Sequence, residues 1–499
     1  VKKVVDPTDK VAQPMTVNPV PEFDELHVIS DLHIGGIPGF QIFGSGDLLA
    51  TFVDHLRARP TDRRVALVIN GDMVDFLAEP NAHYFDPANA VARLKRISED
   101  QAFKPVWRAL NEFVGTPNRQ LVIVLGNHDL ELSLPWVRDY LVSLLANNDA
   151  ARGRVRLEFE GFGFQCGVGG SQVLCLHGNE VDTWNVTDYE MLRRIAREYV
   201  QGRPVASWTP NAGSKLVIDV MNGVKQTYAF VDLLKPEVQA VVPLLLALDQ
   251  TSAARLRSVS LVASRLTWDA IRRATGFLSP DEEPAPTALA AGIPVPENGI
   301  AATASRAATT EPVDALALLR RVEVQYQGGG RPLSGNRNEM LGAMDALRAI
   351  ARRKDRCEIV YEAIRDVAQD RTFTVTDPDA TYKLVDKYVN KSFEWVLAGH
   401  THLERVVARA EGGGTYINTG TWIPLIQLQP ERLTSVSAFR PVFDILESSR
   451  TVSALSRMPG LIQQRPAVAS IERDGGRASA QLRRVSLLNG QLQFKDVLS

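Results

Sequence analysis

Apolar residues in the first third of this chain alternate between two rhythms. Leu26–Ser30, Val65–Asn70 and Leu121–Leu125 are short runs bounded by Gly or Asp, the pattern of buried strands. Between them Leu48, Leu49, Phe52, Val53 and Leu56 repeat at helical spacing. Val91, Leu94 and Ile97, then Val106, Leu110 and Phe113, mark further helical faces. Strand, helix, strand in this order predicts parallel pairing through right-handed crossovers. Val155–Phe159, Phe162–Cys166 and Gln172–Leu176 then follow as consecutive strands. They are expected to form a meander, with a turn at 167–171, and so to announce a two-sheet sandwich.

From about Trp184 to Lys391 the pattern is helical, with Tyr189, Leu192, Ile195 and Tyr199 on one face. Val241–Leu248 is strongly apolar and is read as core packing, since it lacks the basic residues of a membrane-surface helix. Residues 278–312, rich in Ala, Pro, Thr and Glu without periodicity, predict a flexible loop. Strand signals return at Phe393–Ala398 and Thr415–Asn418. Ala467–Glu472 and Ala478–Val485 flank Asp474-Gly475-Gly476, a hairpin turn. The expected organisation is an extended segment 1–22, a core in two parts (23–184 and 392–499, the second ending in a β hairpin), and a helical insertion 185–391 between them. The insertion, placed inside the core's sequence, is expected to act as a substrate-shaping cap.

Composition narrows the class. At 499 residues the chain suits a core with a large insertion, and 45% hydrophobic against 23% charged residues is ordinary for a globular protein. A formal net charge of −2 gives no electrostatic footprint for non-specific nucleic-acid binding. Three cysteines without metal-ribbon spacing favour buried thiols in a reducing compartment over a disulfide frame. Val1–Pro21 holds Lys2, Lys3 and four prolines but no apolar signal-peptide core, and no run is apolar enough to span a membrane. A cytoplasmic protein is expected. The pattern sets no oligomeric state.

The chemistry lies in the ends of the apolar runs. Five of the eight histidines occur in Asp31-Leu32-His33, Gly126-Asn127-His128-Asp129, Cys175-Leu176-His177-Gly178 and Gly399-His400-Thr401-His402; Asn70-Gly71-Asp72 completes the series. Strand tips in open α/β sheets collect ligands. Imidazole, carboxylate and side-chain amide without thiolate suit hard to borderline divalent metals. Asp31 and His33, one position apart, can turn toward one ion; the Asp72 carboxylate can bridge two; Asn127, His177, His400 and His402 offer further oxygen and nitrogen donors. Two metals about 3.5–4 Å apart can orient a phosphate, activate a water and stabilise both axial oxygens of a displacement.

In this order and spacing the series resembles the calcineurin-like metallophosphoesterase superfamily, over about residues 24–184 and 392–425. The resemblance implies a four-layer α/β/β/α sandwich and hydrolysis of a phosphomonoester or phosphodiester by a metal-bridging hydroxide. It implies that Asp31, His33, Asp72 and His402 hold one divalent ion, and that Asp72, Asn127, His177 and His400 hold a second. Mn²⁺ is the first choice; Fe, Zn²⁺ or Ni²⁺ suit the same donors. It further implies that His128 contacts the phosphate and assists the leaving group, and that Asp129 orients His128. The substrate class is a phosphorylated small molecule or a lipid-linked phosphate.

Asp75 stands where purple acid phosphatases have tyrosine, and Phe76-Leu77 and Asp129 replace residues of the protein phosphatases. Ser30-Asp31-Leu32-His33 with Asn70-Gly71-Asp72-Met73-Val74-Asp75-Phe76 is closest to the branch containing UDP-2,3-diacylglucosamine hydrolase, whose typical members carry arginine in place of His128. Alternatives to simple phosphoester hydrolysis are a nucleotide-sugar or lipid-linked pyrophosphatase, a nuclease, which the charge disfavours, and a non-catalytic scaffold. Outside the series, His27 is read as a packed strand residue, and His55 and His83 as ordinary surface residues. Asp75 is expected to support the metals from outside and Asn418 to brace the site. Arg193, Arg194 and Arg197 are read as a solvated helical face.

Overall fold

A computed structural model describes residues 20–182, 185–225, 227–235, 355–368 and 373–498. Val241–Leu248, the 278–312 segment, Trp184 and most of 1–22 lie outside the described residues.

The three runs that read as buried strands become β2 (Glu25–Ile29), β3 (Val65–Asn70) and β4 (Arg119–Val124), paired in parallel. Alternation splits their side chains between two cores. Ile29, Leu67, Ile69, Leu121 and Ile123 meet the helices Gly46–Arg57, Ala90–Glu99, Lys104–Gly115 and Pro135–Leu145. Leu26, Val28, Ala66, Val68, Val122 and Val124 face a second sheet instead. Each such side chain, fully buried, contributes about 1.5–3 kcal/mol, so both faces are committed to packing.

β5 (Val155–Glu158) pairs in parallel with β4. It is therefore the edge of the first sheet, not the first strand of a meander. The chain turns at Gly161 and Gly163, both at positive φ, and only then enters the second sheet as the hairpin of β6 (Phe164–Val168) and β7 (Ser171–Cys175). A side chain at Gly163 would run into the Cys175 carbonyl, so this crossing needs glycine.

After the insertion, β8 (Trp395–Ala398) pairs in parallel with β7, and β10 (Thr415–Thr419) pairs with β8. β9 (Glu404–Ala408) runs antiparallel at the edge, and β1 (Glu22–Phe23) pairs with β6. The second sheet's outer face, including Leu174, Val396 and Tyr416, is covered by Tyr382 and Val385 of helix Ala380–Tyr388. These four layers are the α/β/β/α sandwich the motifs implied.

The C-terminal strands β13 (Ala467–Asp474), β14 (Arg477–Leu488) and β15 (Gln491–Asp496) extend the first sheet through β13 against β2. Gly475 and Gly476 both take positive φ, as the tight two-residue turn between Asp474 and Arg477 requires. A small sheet of β11 (Leu425–Ile426) and β12 (Ile462–Gln463) lies beside them.

The described ends of the insertion do not stand alone. Val217, Met221, Val224, Phe230 and Leu233 share a core with Val360 and Ile364, and with Phe439, Val442 and Leu446 of helix Val436–Ser448. Leu77 and Ile426 belong to the same cluster. Tyr84 donates to Asp219 at 2.5 Å and the Asn222 amide to the Leu77 carbonyl at 2.8 Å. The segment 212–234 is thereby fixed against the sandwich.

Glu131, in the turn Leu130–Ser133, is 1% exposed and accepts the Asp86 N–H at 3.1 Å. Burial pushes its carboxyl up to about 8. A raised acid holds its proton in the folded state after the unfolded chain has released it, so stability falls as pH rises from about 4.5 to 8. Glu131→Gln keeps an oxygen for the Asp86 N–H. Thermal melts should show it raising Tm at pH 8, at about 2–4 °C per kcal/mol, and having little effect at pH 4.5.

Candidate metal centre

The carboxyl ends of β2, β3, β4, β7 and β8 converge on one edge of the sandwich, and the five motifs follow them. The β2 and β3 loops run side by side beyond their strands. The Asp31 N–H bonds the Gly71 carbonyl (3.1 Å), the His33 N–H the Asp72 carbonyl (2.9 Å), and Ile34 bridges to Val74. Within these loops Asp31, His33 and Asp72 all have positive φ, as do His400 and His402. Such conformations cost on the order of 1–3 kcal/mol each at non-glycine residues, somewhat less for Asp. Five at one edge are a large fraction of the roughly 5–15 kcal/mol that holds a domain folded. They persist because the surroundings over-determine them, which marks the edge as functional.

Donor atoms of Asp31, His33, Asp72 and His402 lie within 4.8 Å of one another, and all four residues are buried. His402 Nε2 is 3.3 Å from Asp31 Oδ1 and 3.1 Å from His33 Nε2; His33 Nε2 is 3.7 Å from Asp72 Oδ2. His177 approaches the same Asp72 oxygen as His33, with Nε2 3.3 Å from Oδ2. Its Nδ1 donates to the Asn70 carbonyl at 2.8 Å, which fixes the ring. Asn127 and His400 line the same cavity, of about 70 Å³, together with His33, Asp72, His128 and His402. Asp72 thus stands between the two expected ligand sets.

Among the described residues, the buried Asn127 Oδ1 and His402 Nδ1 make no hydrogen bond, and His177 Nε2 has only Asp72 Oδ2, at 3.3 Å. A buried polar atom left unmatched costs about 1–3 kcal/mol, and a cation beside Asp72 would satisfy the Asn127 oxygen. The glycines of the motifs are equally committed. A Cβ at Gly126 would strike the Asp72 carboxylate, one at Gly71 the His177 ring, and one at Gly399 would stand 2.5 Å from Asp31 Oδ2.

Electrostatics point the same way. Burial opposes charge on Asp31 and Asp72, yet the surrounding imidazoles outweigh it, holding Asp31 at about 2 and Asp72 well below the usual carboxylate range. Burial works against a charged His177, but Asp72 and Asp31 outweigh it and push the imidazole up to about 10. The same negative field would favour a bound cation. Burial, with Lys235 adding to it, pushes His402 down to about 4, leaving a neutral imidazole of the kind a metal needs.

The support of His128 differs from expectation. The carboxylate on His128 Nδ1 is Asp75, at 3.1 Å from Oδ1, and the other Asp75 oxygen meets His33 Nδ1 at 3.2 Å. Burial opposes charge on Asp75, but His128 and His33 outweigh it and keep its carboxyl far below the ordinary range. Asp129 is directed elsewhere, accepting the N–H groups of Gly126 (2.7 Å) and Met73 (2.8 Å). It clamps the β3 and β4 loops together. Burial and the neighbouring Asp72 push Asp129 up to about 7. One Asp75 carboxylate thus reaches two rings at once.

Other residues carried no motif. His400 Nε2 meets Asp182 at 2.8 Å, and Glu180 accepts the Gly178 N–H at 2.6 Å. The two acids follow His177-Gly178 directly, and that proximity is the signal that could have found them. Asn418 donates to the Gly399 carbonyl (2.6 Å) and Thr401 Oγ1 (3.1 Å), bracing the His-Thr-His loop as expected. His27 is packed, bonded to Ser470 (2.9 Å) and Glu25 (3.3 Å) inside a cluster with Arg59 and Arg63. His55 is exposed beside Phe494, and His83 is exposed. Arg193 pairs with Glu190 and Glu160, and Arg194 with Glu198, as on a solvated face. Cys166, Cys175 and Cys357 are buried and unpaired.

Residues 26–235 match the family model for calcineurin-like phosphoesterase. No curated protein matches the chain. The matched stretch holds Asp31 through His177; His400 and His402 lie beyond it and join through the pairing of β8 with β7. No described helix is long and apolar enough to cross a membrane.

Proposed function

Because residues 26–235 carry a calcineurin-like phosphoesterase domain, we propose that this chain is a dinuclear metal-dependent hydrolase of a phosphomonoester or phosphodiester. The observation that carries the reading is the convergence of Asp31, His33, Asp72 and His402 on one point, with His177 Nε2 3.3 Å from the same Asp72 carboxylate and the Asn127 oxygen unpartnered in the same cavity. Asp31, His33, Asp72 and His402 would hold one ion, and Asp72, Asn127, His177 and His400 the other, with Mn²⁺ the first choice for this mixed donor set. Bound ions supply positive charge for the phosphoryl oxygens and a nucleophile from water at neutral pH.

The chain's own residues do the rest. The Asn70 carbonyl and Asp75 set the ring orientations of His177 and His33. With Asp75 on Nδ1, His128 is turned and charge-supported to give a proton to the departing oxygen from Nε2. The three unpaired cysteines support a reducing, cytoplasmic setting.

Asp75→Asn should lower kcat and, through His33, weaken metal binding, by about 10–100-fold, the usual cost of losing a carboxylate behind a functional imidazole. It should also move the alkaline limb of the pH–rate profile, where His128 must still hold its proton, to lower pH, which a purely structural role would leave in place. The reading as a whole is tested by a panel of mono-, di- and pyrophosphates with Mn²⁺. Metal-dependent turnover of an ester is expected; no turnover of any member by a metal-loaded chain would refute it.

A further inference from the structure

The 212–234 segment brings a charge pair to the metal centre. Lys225 Nζ lies 2.7 Å from Asp232 Oδ2, and both residues line the cavity that holds His33, Asp72, His128, His400 and His402. Both also line a second cavity, of about 260 Å³, which shares His33 and Ile42 with the first. The pair therefore stands where the two spaces meet. The second cavity's walls combine amides, Gln41 and Asn222, with the apolar faces of Phe40 and Ile42. Its floor is fixed: Glu79, paired with Arg96, accepts the Gly36 N–H at 2.9 Å, and Asn222 is tied to the Leu77 carbonyl.

An occupant is selected by charge, size and hydrogen bonding. A second anion on the substrate would have to displace Asp232 from Lys225. An acyl chain would cover both charges with nothing to bond them, at several kcal/mol. The volume lies below the roughly 300–1,000 Å³ of pockets for drug-sized ligands, enough for one small ring. Hydroxyl groups suit the pair, because each can accept from the ammonium and donate to the carboxylate.

We propose that the Lys225–Asp232 pair and the adjoining cavity form a subsite for a hydroxyl-bearing ring, a sugar, carried on the ester oxygen of the substrate phosphate. Hydroxyls of the ring bridge Lys225 and Asp232, and its C–H face lies against Phe40 and Ile42. The proposal rests on the phosphoesterase reading and names the substrate class for that same centre.

The test compares the full chain, loaded with Mn²⁺, on glucose 1-phosphate and on cyclohexyl phosphate, a ring of the same size without hydroxyls, each also as its methyl diester. Phenyl phosphate and its diester report phosphoesterase activity as such. The wild type is expected to prefer the glucosyl ester in kcat/KM, and Asp232→Asn to reduce that preference by about 10–100-fold, the worth of hydrogen bonds to a charged group. Phe40→Ala, at a half-buried loop position that the fold tolerates, should raise KM for both ring esters. A glucosyl preference that survives Asp232→Asn unchanged, or the absence of any preference in the wild type, overturns the subsite while leaving the phosphoesterase intact. No turnover of the phenyl esters overturns the reading beneath it.

Discussion

Asp72→Ala is expected to abolish metal-dependent hydrolysis and to reduce bound metal below two ions per chain. Both of its oxygens are engaged at the centre. One oxygen accepts the His128 N–H at 2.9 Å; the other lies 3.3 Å from His177 Nε2 and 3.7 Å from His33 Nε2. Losing a residue that merely supports a ligand costs about 10–100-fold in metal affinity or activity. Losing the carboxylate shared by both ligand sets should cost more than either figure. Alanine also strands the His128 N–H, at about 1–3 kcal/mol of stability. Asp72→Asn keeps an acceptor for that N–H and nearly the same volume, so it separates folding from metal binding. Elemental analysis beside circular dichroism should find the asparagine variant folded and short of metal. A folded Asp72→Ala chain with two ions and normal turnover would remove the basis of the assignment.

His128→Ala is expected to behave differently, keeping both ions while kcat falls by about 10²–10⁴-fold, the range of general acid catalysis. The distinction follows from position. His128 lines the cavity and is supported from behind by Asp75, but it belongs to neither expected ligand set. A proton donated to the departing oxygen matters most when that oxygen is a poor leaving group. The loss should therefore be greatest for alkyl esters and smallest for nitrophenyl esters. Equal losses across leaving groups would assign His128 to phosphate binding rather than proton transfer. Loss of metal would assign it to the ligand set.

The parts of the fold that were legible in the sequence are those where local pattern and tertiary burden agree. β2, β3 and β4 are buried on both faces, and their apolar runs end where functional loops must begin. Sequence order places β5 beside β6, but two glycines turn the chain between the sheets and leave β5 paired with β4. Helix Val436–Ser448 carries no motif, and its apolar face meets the described ends of the insertion together with Leu77 and Ile426.

The candidate site divides in the same way. Its ligand residues sit in tripeptides and tetrapeptides at strand ends, so short-range order carries them. The orienting groups do not. Asp129 is next to His128 in sequence, yet it accepts the Gly126 and Met73 N–H groups, while Asp75 meets His128 Nδ1. Neighbours in sequence at a positive-φ turn point in different directions, so adjacency misleads there. Lys225 and Asp232 come from short helical turns with no motif at all. The packing of 212–234 against Leu77 and Ile426 brings them to the cavity lined by His33, Asp72, His400 and His402.

The central claim is that one carboxylate joins two metal sets at the end of this sandwich. Its most direct test is elemental analysis of the full chain after chelation and reloading with Mn²⁺, run in parallel with hydrolysis of bis(4-nitrophenyl) phosphate and 4-nitrophenyl phosphate. About two ions per chain are expected, with turnover of at least one ester lost on chelation and restored with the metal. A folded chain that binds no stoichiometric metal, or whose hydrolysis is unchanged by chelation, would contradict it.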